Sequence, residues 1–189
     1  MNTIAYFLHR AGELLHVVKP PMVMLQQPTA HIGPPEAYPN PAITPGAINP
    51  SVTQATIKKT IGVPGWTDKI RPPTSYTNAL KRKQLAAYGY PSFTNLADLE
   101  EDHFIPLCCG GHPTNPKNLW PQRRAGHFGA RTKDIAESAA QHAILNGIIT
   151  LREAQDGFAQ DWVALHKRLL ANPKIVGLMM AMGPPDEEP

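Results

Sequence analysis

Cysteine is nearly absent from this chain: there are two in 189 residues, and those two, Cys108 and Cys109, are neighbours. Adjacent cysteines rarely bridge, so the pair supplies neither a disulfide framework nor the C-x-x-C pairs of a zinc ribbon. They read as reduced residues on a buried strand end, which fits a cytosolic protein. Long apolar runs are missing as well. Ile4, Phe7, Leu8, Leu14, Leu15, Val17 and Val18 gather near the start, but His9, Arg10 and Glu13 interrupt them. That excludes a secretory h-region or a membrane span and leaves a short amphipathic helix within residues 1–19. The expectation is a cytoplasmic protein with no membrane partner. No internal repeat is present.

Proline, by contrast, is abundant: 21 residues, nine of them between Pro20 and Pro50. Such density rules out a long helix or a central strand and predicts an extended arm. The arm is assigned residues 1–42, and its stretch 20–50 is a candidate segment for a protein partner. A domain over 43–172 and a frayed tail over 173–189 complete the expected organisation. Net charge is +3, but it is unevenly spread. Residues 43–133 hold 12 Lys/Arg against 5 Asp/Glu, whereas 134–189 hold 4 against 8. The basic part suits a polyanion, through phosphate neutralisation and counterion release.

Local signals place the elements. Ser51-Val-Thr-Gln54 has the form of a capping box and predicts a helix over about 51–61, stopped by Gly62 and the Val63-Pro64-Gly65-Trp66 turn. A second helix is expected near 75–88, with Tyr76, Leu80 and Leu85 on one face and Lys81, Arg82 and Lys83 wrapping the other. Ala130 to Leu145 lacks Pro and Gly and reads as a helix closed by Asn146-Gly147. Thr150-Leu-Arg-Glu153 is another capping box, opening a helix to about Leu170 with Leu151, Ala154, Phe158, Trp162 and Leu165 at helical spacing. Between these lies a hairpin over about Glu101–Trp120. The order through Lys133 is strand, loop, strand, helix, and an acid and an imidazole, Asp102 and His103, stand side by side at the end of the first strand.

Asp102-His103-Phe-Ile-Pro, then Gly110-Gly111, then Asn118-Leu119, resembles the His-Asn-His (HNH) nucleases, whose core is a ββα-metal finger. The wider context, from Thr44-Pro45-Gly46 through Pro64-Gly65-Trp66-Thr67 and Tyr88-Gly89-Tyr90 to Asn118-Leu119-Trp120-Pro121-Gln122 and Lys133-Asp134, is similar to a group of small bacterial HNH-like proteins. The resemblance covers roughly residues 43–165. It implies an α+β fold in which a ββα-metal finger sits in a mainly helical small domain behind the Pro-rich arm.

It also implies a chemistry. Phosphodiester hydrolysis needs a base for the attacking water and a cation opposite to absorb charge on the leaving oxygen. His103 titrates near neutrality and suits the base; the resemblance gives it that role and makes Asp102 a metal ligand. Asn118 corresponds to the central Asn that links the two strands and orients the base. For the third ligand, His127 stands nine residues after Asn118, as in many HNH proteins. The nearer group offers Asn or a small residue two places later, where this chain has Gly129. Arg123, Arg124, Arg131 and Lys133, together with Lys81, Arg82 and Lys83, are candidates for phosphate contact, with a solvated surface as the plain alternative. The expected cofactor is Mg²⁺, with Zn²⁺, Mn²⁺ or Ni²⁺ as alternatives, and the expected partner is nucleic acid, DNA ahead of RNA. An inactive nucleic-acid-binding module and a protein-interaction domain recruiting partners through the arm are the competing readings.

Overall fold

The computed structural model describes residues 37–182. The predicted helix within 1–19 and most of the Pro-rich arm lie outside the described residues. The fold is α+β: five α-helices and one two-stranded antiparallel sheet make up its regular structure among the described residues. The helices are α1 (Trp66–Ile70), α2 (Thr74–Gln84), α3 (Ala130–Leu145), α4 (Leu151–Leu170) and α5 (Pro173–Met182). The strands are β1 (Leu99–His103) and β2 (Leu119–Arg123), paired so that Leu99 faces Arg123, Asp102 faces Trp120 and His103 faces Leu119. No helix among the described residues is long and apolar enough to cross a membrane.

The core lies between the hairpin and the helices that follow it. Ala136, Ala139, Ala140 and Ala143 give α3 a smooth buried face, which lets α4 pack closely through Leu151, Ala154, Phe158, Trp162 and Leu165. Phe104 and Trp120 join the same cluster from the hairpin. The predicted capping box opens α4: Thr150 Oγ1 accepts from Glu153 N at 3.1 Å, and Glu153 Oε2 accepts from Thr150 N at 2.7 Å. The helix is broken at Asp161, whose backbone is extended and whose carboxylate caps the second half by accepting from Ala164 N at 2.8 Å. Tyr38 donates its hydroxyl to the same carboxylate, and Trp162 Nε1 donates to Ala37 O at 2.7 Å.

Five expectations need correction. Ala37 and Tyr38, assigned to the arm, are buried in the core against α4, so packing begins earlier than residue 43. The helix over 51–61 is replaced by turns and one 3-10 turn, Ile57–Lys59. Val52, Thr53, Thr56, Ile57, Thr60 and Ile61 are β-branched, and Thr56 and Thr60 spend their hydroxyls on local carbonyls, which competes with helix. Gln54, expected to close a capping box with Ser51, accepts instead from Leu151 N at 2.8 Å and so satisfies the start of α4. The tail expected to fray from 173 forms α5, anchored by Ile175 at 1% exposure. Finally, α2 buries Lys81 and Gln84 rather than an apolar stripe: Lys81 Nζ donates to Leu99 O at 2.7 Å, and Gln84 Nε2 to Leu119 O at 2.9 Å. These two bonds hang both strands on α2.

Candidate functional site: the β1 end, its loop and α3

The loop between the strands is built around Asn118, which is fully buried. Its Oδ1 accepts from Ile105 N at 3.0 Å and from Ala47 N at 3.3 Å; its Nδ2 donates to Ile105 O at 2.9 Å and His112 O at 3.1 Å. One side chain thus satisfies backbone groups from three segments that would otherwise be buried without partners. Gly111 is required at the crossing, because a Cβ there would stand 1.7 Å from Ile105 O. His112 Nδ1 accepts from Thr114 N and Asn115 N at 3.3 and 3.1 Å, which turns the chain and aims the Pro113 carbonyl back at β1.

That carbonyl receives His103. The imidazole Nε2 lies 2.9 Å from Pro113 O, and an imidazole nitrogen beside a carbonyl must carry the hydrogen. Nδ1 is therefore the free acceptor of the neutral ring. Burial pushes the His103 pKa down to about 4, against the opposing pull of the Pro113 carbonyl and Asp102. The ring is neutral across the ordinary pH range, so burial overturns the expectation that it titrates near neutrality.

Asp102 points to the other face of β1, as strand alternation requires. There it meets Lys133 of α3, whose ammonium is wholly buried. Lys133 Nζ lies 2.7 Å from Asp102 Oδ2, donates to His103 O at 2.8 Å, and also binds Glu137 one turn along α3. Burial opposes the charged ammonium, but Asp102 and Glu137 overcome it and hold Lys133 above the ordinary lysine range. Lys133 is thus a buried strut and does not reach solvent phosphate, contrary to expectation. Lys81 is excluded from phosphate contact for the same reason, being committed to the Leu96 and Leu99 carbonyls. Arg82 and Lys83 remain exposed.

His127 is exposed on the turn before α3, edge-on to Phe128. It does not join Asp102 and His103: no three His, Cys, Asp or Glu side chains among the described residues come together as a metal centre. A closed zinc site, which takes three or four protein donors, does not fit this donor set. Magnesium asks less of the protein, since one or two carboxylates, water and substrate phosphate usually hold it. Lys133 engages Oδ2 alone, so Asp102 Oδ1 is the atom left for such a cation.

Two acids of the site escaped sequence reasoning. Glu137 was signalled only by its spacing of four from Lys133. Glu101 shares the His103 face of β1, is 7% exposed, and has no hydrogen-bond partner on either carboxylate oxygen. Burial pushes its pKa up to about 8, opposed by Lys81 and reinforced by Asp102. Alternation from the buried Leu99 was the signal for it. At the opposite end of the hairpin, Arg123, Arg124 and Arg131 line an open cleft.

No family model matches the chain, and neither a curated protein nor a solved structure matches it.

Proposed function

We propose that this protein is a metal-dependent endonuclease of the HNH kind, hydrolysing phosphodiester bonds of nucleic acid, with DNA as the first substrate to test. The observation that carries the reading is the fixed tautomer of His103. Its Nε2–H is tied to Pro113 O, its Nδ1 is the free acceptor, and the loop that sets this arrangement is latched by Asn118.

His103 Nδ1 takes the proton of the attacking water as its oxygen bonds to phosphorus, while the bond from phosphorus to the leaving sugar oxygen breaks and that oxygen takes a proton from solvent water. The imidazolium that forms is stabilised by the Pro113 carbonyl and the neighbouring Asp102, the two largest influences that favour its charge. Asp102 Oδ1 would hold the divalent ion, whose contribution is Lewis-acid stabilisation of charge on the phosphate oxygens; because Asp102 and His103 leave β1 on opposite faces, one phosphate reaches both only at the strand end, where the chain turns into the loop. Lys133 fixes Asp102 and the His103 carbonyl together, so base and carboxylate keep their relative placement. An ammonium 2.7 Å from the same carboxylate also weakens its hold on a second cation, so the reading predicts a loosely bound metal.

The alternative of an inactive nucleic-acid-binding module draws on that same hold of Lys133 on Asp102. One assay separates the two: supercoiled plasmid incubated with the purified full chain in Mg²⁺, Mn²⁺, Zn²⁺ or EDTA. Cleavage is expected with Mg²⁺ or Mn²⁺, none with EDTA, and a fall of at least about 10² in His103→Ala. Equal cleavage by wild type and His103→Ala, in preparations free of contaminating nuclease, refutes the assignment.

A further inference from the structure

The hairpin has two ends, and the proposed nuclease site lies at one of them. At the other, Arg123, Arg124 and Arg131 converge with Ala97, Asp98 and Ala125 on an open cleft of about 340 Å³. All three arginines are exposed, so their charge is available to a ligand. Arg123 is the last residue of β2, and its guanidinium lies 5.8 Å from the centre of the Tyr90 ring, which orients it. Arg124 is held by Glu100 at 3.4 Å, with its backbone N donating to Asp98 O at 3.0 Å. Arg131 stands in the first turn of α3, where its own N reaches Arg124 O at 3.4 Å; its guanidinium has no ion-pair partner among the described residues. Asp98 and Glu100 offset two of the three positive charges, leaving a surplus of one, and a guanidinium fork suits an oxyanion with two acceptor oxygens, such as a phosphodiester.

Register sets the distance. Arg123 pairs with Leu99 and Leu119 pairs with His103, so the cleft and the base are four strand residues apart, about 13 Å at 3.3 Å per residue. One strand of a nucleic acid duplex advances about 3.4 Å along the axis per nucleotide, so this span is about four nucleotides.

We propose that the cleft is a second phosphate subsite, binding the backbone of the substrate strand about four nucleotides from the bond that His103 addresses. This rests on the nuclease reading and adds to it the stretch of substrate that the protein grips. The subsite reads phosphate and not base, so it contributes affinity without sequence preference.

The test is equilibrium binding of a fluorescent 20-nucleotide strand, alone and as a duplex, to the full chain in EDTA across a salt series. The double variant Arg123→Gln/Arg131→Gln is compared with Lys167→Ala/Arg168→Ala, which removes two exposed charges from α4. Each lost phosphate contact lowers the slope of log affinity against log salt by about 0.9 for duplex and about 0.7 for single strand. The cleft variant is expected to lose roughly twice that and to bind at least about tenfold more weakly at low salt. The α4 variant is expected to follow wild type. A wild-type slope left unchanged by the cleft substitutions, or lowered equally by the α4 pair, overturns the subsite and leaves the nuclease reading standing. Inorganic phosphate whose binding depends on the cleft arginines while the strand's does not also overturns it, by marking a site for free phosphate. A wild-type chain with no salt-dependent affinity for either nucleic acid overturns both readings.

Discussion

Glu101 makes the stability of this fold depend on pH in a direction that can be worked out. Its carboxyl is buried without a hydrogen-bond partner, and burial lifts its pKa from the ordinary 4.5 to about 8. Between those values the folded chain holds a proton that the unfolded chain has released. The stabilisation is therefore complete below pH 4.5, is lost as pH rises through the window, and is exhausted above about 8. At about 1.4 kcal/mol per pH unit, the full loss is about 5 kcal/mol. His103 acts in the opposite sense: its pKa falls from 6.5 to about 4, so its contribution is complete above 6.5 and disappears as pH falls to 4, about 3 kcal/mol in all. From pH 4.5 to 6.5 the two slopes cancel. Above 6.5 Glu101 is the one of this pair that still titrates, and the two groups together contribute a flat region followed by a loss of about 2 kcal/mol between pH 6.5 and 8.

Glu101→Gln keeps the shape and removes the charge. Urea unfolding of wild type and variant from pH 4.5 to 9 isolates the term, because other titrations are common to both proteins. The stability of Glu101→Gln relative to wild type is expected to rise by up to about 5 kcal/mol from pH 4.5 to 8 and then level off. A difference that stays constant across that range would show that Glu101 is ionised in the folded state at ordinary pH, and would refute the reasoning. Marginal stability makes the effect easy to see, since a whole domain is held by about 5–15 kcal/mol.

Lys133→Met removes the ammonium beside Asp102 and is expected to cost about 3–5 kcal/mol in urea unfolding. Adding Asp102→Asn should recover part of that loss, and a fully additive double variant would contradict the pairing. Asn118→Ala strips partners from four backbone groups at about 1 kcal/mol each and should lower both stability and plasmid cleavage, whereas His103→Ala gives up one hydrogen bond, to Pro113 O, and should lower cleavage by at least about 10² at a cost of about 1–3 kcal/mol in stability. Cleavage should need Mg²⁺ well above the concentration of protein, and titration calorimetry showing tight, stoichiometric Mg²⁺ binding without substrate would contradict the competition between Lys133 and the ion.

Elements with a strong local signal were legible in the sequence. The capping box at Thr150 and the apolar spacing to Leu165 both act within a turn or two, and α4 begins and packs as they require. The hairpin and α3 were legible for the same reason, with Asn118 placed between the strands it serves. What was not legible depends on partners far away in the chain. Ser51-x-x-Gln54 matches a cap, yet Gln54 finds a better use 97 residues away at Leu151 N. The basic run at 81–83 reads as a solvated face, yet a single member of it, Lys81, turns inward because the carbonyls of Leu96 and Leu99 need a donor. Lys133 reads as a phosphate contact until β1 brings Asp102 against it. A charge pattern gives the number of cations and their faces along one helix, but only tertiary pairing decides which cations remain for a ligand.

That pairing also determines which substitutions can report on chemistry. Asp102 and His103 are adjacent but point to opposite faces, and α3 meets both through one atom, Lys133 Nζ. Any change at Asp102 therefore frees a buried ammonium and relaxes the end of β1 that carries His103. A loss of cleavage in an Asp102 variant mixes a lost ligand with a displaced base. His103 is different, because among the described residues its ring bonds the Pro113 carbonyl alone, while its backbone oxygen, which receives Lys133, survives replacement by alanine. His103→Ala thus deletes the proton acceptor and leaves the strut in place. It is the substitution on which the nuclease reading should stand or fall, with Asp102→Asn interpreted only beside a measured stability.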